Sequence, residues 1–388
     1  MQNNTLINKR AVVFCNDIEY AVGLVRCLGE AGYYVECFYY TNSFESKYIL
    51  ASRYVKNGRM FSSKEECLKY LLEDYPVYNP KPVLFTMPDP PAYLVDTHKA
   101  DFEKKFILMS AGKDGDIAKW MDKGRQSALA EKVGLIAPWM IKLHKTEEIP
   151  HDLKYPVFTK STASMNGGKC DEGICHNREE LVVKQKEMKS EYFLVMKYIQ
   201  KKAEVNYFGL SIGDHVYVDY KDNVTSFTPK AYGNYINFFP CSYDTIHNSI
   251  VEFIKATKYQ GLFDVEFLLG EDNVLYFVEV NFRCDGELYL LTPALNLPAE
   301  WCRLVSLPAE QLPLKLNPKQ MNFWGMAETF DFRDRVRTGQ VNFFKWFWQF
   351  VTADSRMLFN AKDPIPFFYY IAYLMKQARN KIKRKFHK

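Results

Sequence analysis

The pattern of apolar and polar positions begins with a short apolar run at residues 11–15, AVVFC, which predicts a buried strand. Apolar residues then recur at helical spacing through Ala21, Leu24, Val25 and Leu28, and the run stops at Gly29 or Gly32. Residues 34–39 and 82–86 predict two further strands, with a helix at 64–73 between them. Strands that alternate with helices predict a parallel, doubly wound sheet, and such sheets carry ligands at the carboxyl ends of their strands. Asn16, Asp17 and Glu19 follow the first strand and are placed to line that crevice. No Gly-x-Gly-x-x-Gly follows Phe14, which argues against a dinucleotide site.

Farther along, Met121-Asp122-Lys123 opens a helical run through Ala128, Leu129, Ala130 and Val133 that stops at Gly134, with Pro138 shortly after. Residues 155–160, YPVFTK, predict a strand ending in a lysine; a small-residue loop at 161–173 and a helix at 177–186 follow. Lys160 with Gly167, Gly168 and Gly173 suits a phosphate, because glycines let backbone N–H groups approach the anion while the ammonium supplies charge. Ordinary turns use the same residues. Residues 192–199, YFLVMKYI, predict one more strand.

The strongest pattern lies at residues 261–286, GLFDVEFLLGEDNVLYFVEVNFRCDG. Residues 262–269 and 274–282 predict the two strands of a hairpin, and Gly270, Glu271, Asp272 and Asn273 supply its turn. With Asp272-Asn273 as a two-residue loop, Glu266 lies directly opposite Glu279. Period-two alternation puts Glu279, Asn281 and Arg283 on one face and Val278, Val280 and Phe282 on the other. Like charges directly opposite destabilise a hairpin, so the pair calls for something positive between them. Two carboxylates and an amide oxygen are hard ligands suited to magnesium. The plainer alternative is a hairpin with a solvated outer face.

This segment resembles the metal-binding strands of the ATP-grasp superfamily, whose members include carbamoyl-phosphate synthase and D-aspartate ligases. In that superfamily a Glu on one strand faces a Glu-x-Asn-x-Arg series on the next, matched here by Glu266, Glu279, Asn281 and Arg283. The Asp-Lys opening at Asp122-Lys123 and the Gly134-to-Pro138 close are similar to the start of the same fold. The resemblance implies an α/β architecture, an α+β ATP-grasp fold preceded by a doubly wound parallel-sheet domain. It implies ATP and Mg2+, with manganese as a substitute, held by Glu266, Glu279 and Asn281, and a catalytic Arg283 facing the reacting groups. Lys123, Lys160, Gly167 and Gly168 are the implied phosphate neighbours, and Lys230 a basic catalytic group near the phosphates. The backbone of Met196, Lys197, Tyr198 and Ile199 is the implied reader of adenine, and Glu204 the implied partner of the ribose hydroxyls. The implied reaction joins a carboxylate to an amine through an acyl-phosphate. Ser52-Arg53-Tyr54 and Asp89 look like parts of the domain that helps hold the substrate in that family. An Asp17 or Asp89 that only caps a helix or shapes a turn is an equal alternative.

Composition bounds this picture. The chain has 388 residues, 47% hydrophobic and 25% charged, enough for two or three domains with ordinary cores. The boundaries expected are 1–118 for the domain before the ATP-grasp fold, 119–307 for the ATP-grasp domain and 308–388 for a C-terminal extension. No apolar run is long enough to span a bilayer and no signal-peptide core follows Arg10, so a cytoplasmic protein is expected. Nine cysteines fit reduced thiols better than a disulfide framework, and Cys170 and Cys175 lack a second pair at zinc spacing.

Residues 331–388 hold thirteen Lys/Arg against four Asp/Glu, which accounts for the whole positive excess of a chain with 51 and 46 in total. Between those charges lie FFKWFWQF at 343–350 and PFFYYIAYLM at 366–375. Such a helical, basic, aromatic tail suits the interface of an anionic membrane. A helix docked on the body and a nucleic-acid patch are the alternatives, and the dominance of bulky aromatics argues against nucleic acid. The expectation is therefore an ADP-forming ligase, peripheral at the inner face of the cell membrane, that joins an amino acid to a lipid-linked glycan uronate or similar envelope precursor. A soluble amino-acid or peptide ligase and a non-catalytic ATP-binding membrane scaffold are the alternatives. The absence of a Ser-His-Asp or Cys-His signature among seven histidines agrees with chemistry that needs no protein nucleophile.

Overall fold

The computed structural model describes residues 9–16, 18–41, 47–162, 168–224, 227–228, 231–232 and 234–386. Its first sheet has five parallel strands in the order Val55–Phe61, Tyr34–Tyr40, Arg10–Cys15, Val83–Met87 and Ile107–Leu108. The unbroken apolar run of its central strand follows from burial on both faces. Ala11, Val13 and Cys15 pack with Val22 and Val25 of the helix Ile18–Glu30, whereas Val12 and Phe14 pack with Cys67, Leu71 and Val95 from the opposite side. From Arg10–Cys15 the strand order runs one way to Tyr34–Tyr40 and the other way to Val83–Met87, which makes the carboxyl ends of these strands a switch point. Asn16 and Asp89 lie there; Asp17 lies outside the described residues, as do Gly167 and Lys230.

The second sheet is antiparallel, in the order Met140–His144, Tyr192–Lys197, Val157–Ser161 and Gly173–Cys175. The helix Arg178–Glu187 covers it, started by Asn177, whose side chain accepts from the Glu180 N–H at 2.9 Å, and buried through Leu181 against Val157, Phe193 and Val195.

The third sheet has eight strands. Seven follow the order Leu275–Asn281, Tyr259–Gly270, Lys201–Ile212, His215–Asn223, Tyr235–Pro240, Phe323–Met326 and Ser355–Arg356, and Ser110–Ala111 pairs with the second. The hairpin departs from expectation in two ways that cancel. Its loop is three residues, Glu271 to Asn273, closed by Asn273 N–H to Gly270 O at 3.0 Å and Gly270 N–H to Val274 O at 2.9 Å, with Asn273 at φ 64°. That loop alone would set Glu266 opposite Val278. An irregularity between Glu266 and Phe267 inserts Val278 as an extra residue and returns Glu266 to Glu279.

The expected C-terminal helices are present at Phe343–Thr352 and Ile365–Phe386. Between and before them, however, the chain re-enters the body through the strands Phe323–Met326 and Ser355–Arg356. Arg26, fully buried, donates to Asp363 Oδ2 at 3.0 Å and to the carbonyls of Met357 and Asp363 at 2.9 Å each. The Glu328 carboxylate accepts from the N–H groups of Met357 and Leu358 at 3.0 and 3.1 Å and from that of Phe359. Buried charges survive only when partnered in this way, so the segment 353–363 is anchored in the core through Ala353, Ser355, Met357, Leu358 and Asp363. Among the described residues no helix is long and apolar enough to cross a membrane, and all nine cysteines are free.

Candidate functional site

Leu275–Asn281 is the edge strand of the large sheet, and its open backbone is answered from the preceding helix. Gln126 Nε2 donates to Val280 O at 3.0 Å while Val280 N–H donates to Gln126 Oε1 at 2.6 Å; Phe277 N–H donates to Ile136 O at 2.8 Å. Asp122 caps the helix Lys123–Lys132 by accepting from Arg125 N–H at 2.8 Å, and Lys123 N–H donates to Thr162 O at 3.1 Å, just beyond the strand Val157–Ser161. Helix, small sheet and hairpin are thereby locked together. The result is that Lys123 Nζ stands 2.7 Å and Lys160 Nζ 3.9 Å from the same Glu279 Oε2.

The charges are unevenly shared. Burial opposes ionisation of Glu279, but Lys123 and then Lys160 outweigh it and hold its carboxyl down at about 2. Burial likewise works against the Lys123 ammonium, yet Glu279 more than offsets it and raises its pKa, whereas burial and the nearby Lys123 leave Lys160 lowered. Glu266, directly across the ladder, is pushed up to about 8 by burial and then by the negative charge of Glu279. A cation between the two would relieve that repulsion. Asn281 donates through Nδ2 to Asp264 Oδ2 at 2.9 Å and to Glu266 Oε1 at 2.7 Å, so its amide oxygen is the atom left for a ligand. Among the described residues no group of three or more His, Cys, Asp and Glu side chains forms a self-sufficient metal cage. Two carboxylates and one amide are instead a partial set, of the kind magnesium completes with phosphates and water. Cys170 is exposed and Cys175 buried.

Arg283 sits at the switch point. Its Nε lies 3.0 Å from Asp89 Oδ1, and its Nη1 lies 3.3 Å from Asp264 Oδ1 and 3.5 Å from Asp285 Oδ2. Burial disfavours its charge, but these three carboxylates more than compensate and raise its pKa. Asp89 thus both opens the helix Asp89–Thr97 and reaches across to the hairpin. Close approach is needed here: a Cβ on Gly286 would stand 2.5 Å from the Tyr20 ring. Asp264, Asp285, Glu287 and Asp222 also gather around this site, although the motif that marks the hairpin does not single them out. Asp264 is legible by alternation, two residues before Glu266 on the same strand face, whereas Asp285 lies beyond the strand end and caps the turn Gly286–Tyr289. Asp222 carries no such local signal; it is brought in from another strand and held by Asn206 N–H at 2.8 Å, with burial pushing its carboxyl up to about 7.

A cavity of about 450 Å³ reaches Asp264, Asp285 and Glu287 of these groups, in the size range of sites for small molecules and cofactors. Lys123, Lys160, Glu204, Glu266 and Glu279 line it together with the apolar Phe158, Ile236 and Leu268. Lys201 pairs with Glu204 at its mouth. Met196, Lys197, Tyr198 and Ile199 are not among its lining residues: Met196 and Ile199 are buried, and Lys197 Nζ bonds the Tyr276 hydroxyl at 2.8 Å. Gly168 begins a short helical turn, Gly168–Asp171.

Residues 136–292 match the family model described as carbamoyl-phosphate synthase L chain, ATP binding domain. Comparison with curated proteins gives no match. Among solved structures, an L-amino acid ligase from Bacillus licheniformis is similar with a TM-score of 0.62 at 15% identity, over 80% of this chain and 78% of that one. An N5-carboxyaminoimidazole synthetase from Staphylococcus aureus is similar with a TM-score of 0.62 at 13% identity, over 88% of each chain. The biotin carboxylase domain of the 2-oxoglutarate carboxylase from Hydrogenobacter thermophilus, solved with MgADP and bicarbonate, gives 0.57 at 16%, over 78% and 70%.

Proposed function

We propose that the chain, which has the ATP-grasp fold, is an ATP-dependent carboxylate–amine ligase that yields ADP, phosphate and an amide. One observation carries the reading: Lys123, Lys160, Glu266 and Glu279 converge from four separate elements on one cavity, with the ligand oxygen of Asn281 beside them. This donor set fits Mg-ATP. Glu266, Glu279 and Asn281 would hold magnesium, which when bound supplies positive charge between the phosphates. Lys123 and Lys160 would offset charge on the phosphoryl group during transfer, a task mostly of positioning and electrostatics. A substrate carboxylate oxygen forms a bond to the γ-phosphorus as the bond to ADP breaks. An amine then attacks the acyl carbon, loses a proton and expels phosphate. Arg283 faces that second half of the reaction, with Asp89, Asp264 and Asp285 fixing its fork.

Two experiments test the nucleotide part. ATP should raise the melting temperature only with a divalent metal, since a ligand at about a hundred times its dissociation constant adds about 2.7 kcal/mol to the folded state. Equal shifts with and without magnesium would count against the assignment. Arg283→Lys should retain that metal-dependent shift yet lose most turnover, because a point charge cannot reproduce a planar fork held to three carboxylates. Near-normal turnover in the variant would remove Arg283 from the catalytic role.

The finer reading is that the acceptor carboxylate belongs to a surface-polysaccharide or cell-envelope precursor carried on lipid, and that the enzyme works at the inner face of the membrane. Exposed aromatic helices and a basic end support it. A soluble ligase of free amino acids is the second reading, favoured by the likeness to the L-amino acid ligase. Phosphate release over a panel of carboxylate and amine pairs separates them: turnover with two free amino acids favours the second, and turnover confined to uronate or glycolipid acceptors favours the first.

A further inference from the structure

Two C-terminal helices turn apolar faces outward. On Phe343–Thr352, Phe343, Phe344, Phe347, Trp348 and Val351 are exposed, from 49% for Val351 to 83% for Phe344, and their three- and four-residue spacing puts them on one face. On Ile365–Phe386, Ile365, Phe368, Tyr369 and Met375 repeat the arrangement at 50–61% exposure. A file of rings joins the two helices: Trp346 to Phe350, Phe350 to Phe359 and Phe359 to Phe367, at centroid distances of 5.6, 5.7 and 5.3 Å. The surface is also fixed to the body. Trp346 Nε1 donates to Asp331 Oδ2 at 2.9 Å, and Arg335 bonds both Asp331 oxygens at 2.8 Å and Gln349 Oε1 at 2.8 Å.

Charge identifies what covers it. Of the four acidic residues in 331–388, Asp331, Asp334 and Asp363 are buried, which leaves Asp354 as the exposed one. From Lys376 to the end the sequence has seven Lys/Arg and no acid. A second copy docked through the same C-terminal region would meet those cations with its own like charges and only Asp354 to answer them. Bulky aromatics beside a polybasic run match the headgroup boundary of an anionic bilayer.

We infer that these two helix faces form one preformed platform that seats on an anionic lipid surface, rings at the headgroup boundary and the basic run against lipid phosphates. The inference deepens the membrane-associated reading above and rests on it for its biological sense, while the binding itself is measured without turnover. Full-length protein should co-sediment with vesicles of mixed phosphatidylglycerol and phosphatidylcholine, weakly or not at all with phosphatidylcholine alone, and less at high salt. The exposed double substitution Phe344→Ser with Trp348→Ser should lower partition about tenfold or more while leaving the magnesium-dependent ATP shift in place. Lys383→Glu with Arg384→Glu should weaken binding mainly at low salt. Failure to bind the anionic vesicles, undiminished binding by the aromatic variant, or a concentration-dependent dimer that the aromatic variant dissolves would overturn the platform. Lipid binding together with turnover on free amino acids would keep the platform and remove only the lipid-borne acceptor.

Discussion

Glu279→Gln is expected to lower ATP-dependent phosphate release by about three orders of magnitude or more, because a bound metal contributes several kcal/mol of charge stabilisation and each 1.36 kcal/mol is about tenfold in rate. The substitution keeps the shape of the side chain and removes its charge. Two further losses accompany it. Lys123 at 2.7 Å and Lys160 at 3.9 Å both depend on this carboxylate, so their ammonium groups are left facing each other in a largely buried corner. Removing one partner of a buried pair costs about 3–5 kcal/mol, and Lys160, whose pKa is already lowered by burial, can shed its proton and recover part of that. The melting temperature should therefore fall moderately while the magnesium-dependent ATP shift disappears. The decisive comparison is turnover measured below the melting transition of both proteins. Wild-type rates there, with the variant folded, would reduce Glu279 to a structural ion-pair partner.

How much of this site the sequence discloses can be judged residue by residue. The Glu266–Glu279 pair is legible because alternation along two strands is a local property, and it survived a loop one residue longer than expected only because the bulge at Val278 restored the register. The double burial of Arg10–Cys15 and the cap at Asp122 are local too. The tie from Gln126 to Val280 is not: it spans 154 positions and depends on the helix lying along an edge strand, which no periodicity reveals. The same holds for Asp222, which enters from a strand whose place is set by sheet order rather than by its own sequence. In the C-terminal quarter, composition disclosed the aromatic and basic character, and the helices that carry it formed where expected. Its two strands, Phe323–Met326 and Ser355–Arg356, have four and two residues, too short for alternation to register.

The largest effect on stability is expected from Asp363→Ala. Asp363 is 1% exposed and accepts from Arg26 Nε at 3.0 Å, Ser52 Oγ at 2.7 Å and Arg53 N–H at 2.9 Å, and Arg26 is itself fully buried 337 positions earlier in the chain. Loss of the carboxylate leaves the guanidinium with carbonyl partners but without its ion-pair partner, at a cost of about 3–5 kcal/mol. At roughly 2 °C per kcal/mol for a large domain, the melting temperature should drop by about 6–10 °C. Arg53→Ala is the control, since that side chain is exposed, bonding the Lys362 carbonyl at 3.2 Å and lying 5.8 Å from the centre of the Tyr54 ring, and a surface change of this sort stays within about 0.5 kcal/mol. If the two variants melt together, the segment around Asp363 is an appendage after all. If they separate as expected, cutting the chain after Val341 should unfold it, because the cut removes Asp363 from Arg26 and the three backbone donors from Glu328. Lipid binding must then be probed by substitutions on the exposed rings and cations, with the fold intact, since truncation would destroy the nucleotide site along with the platform.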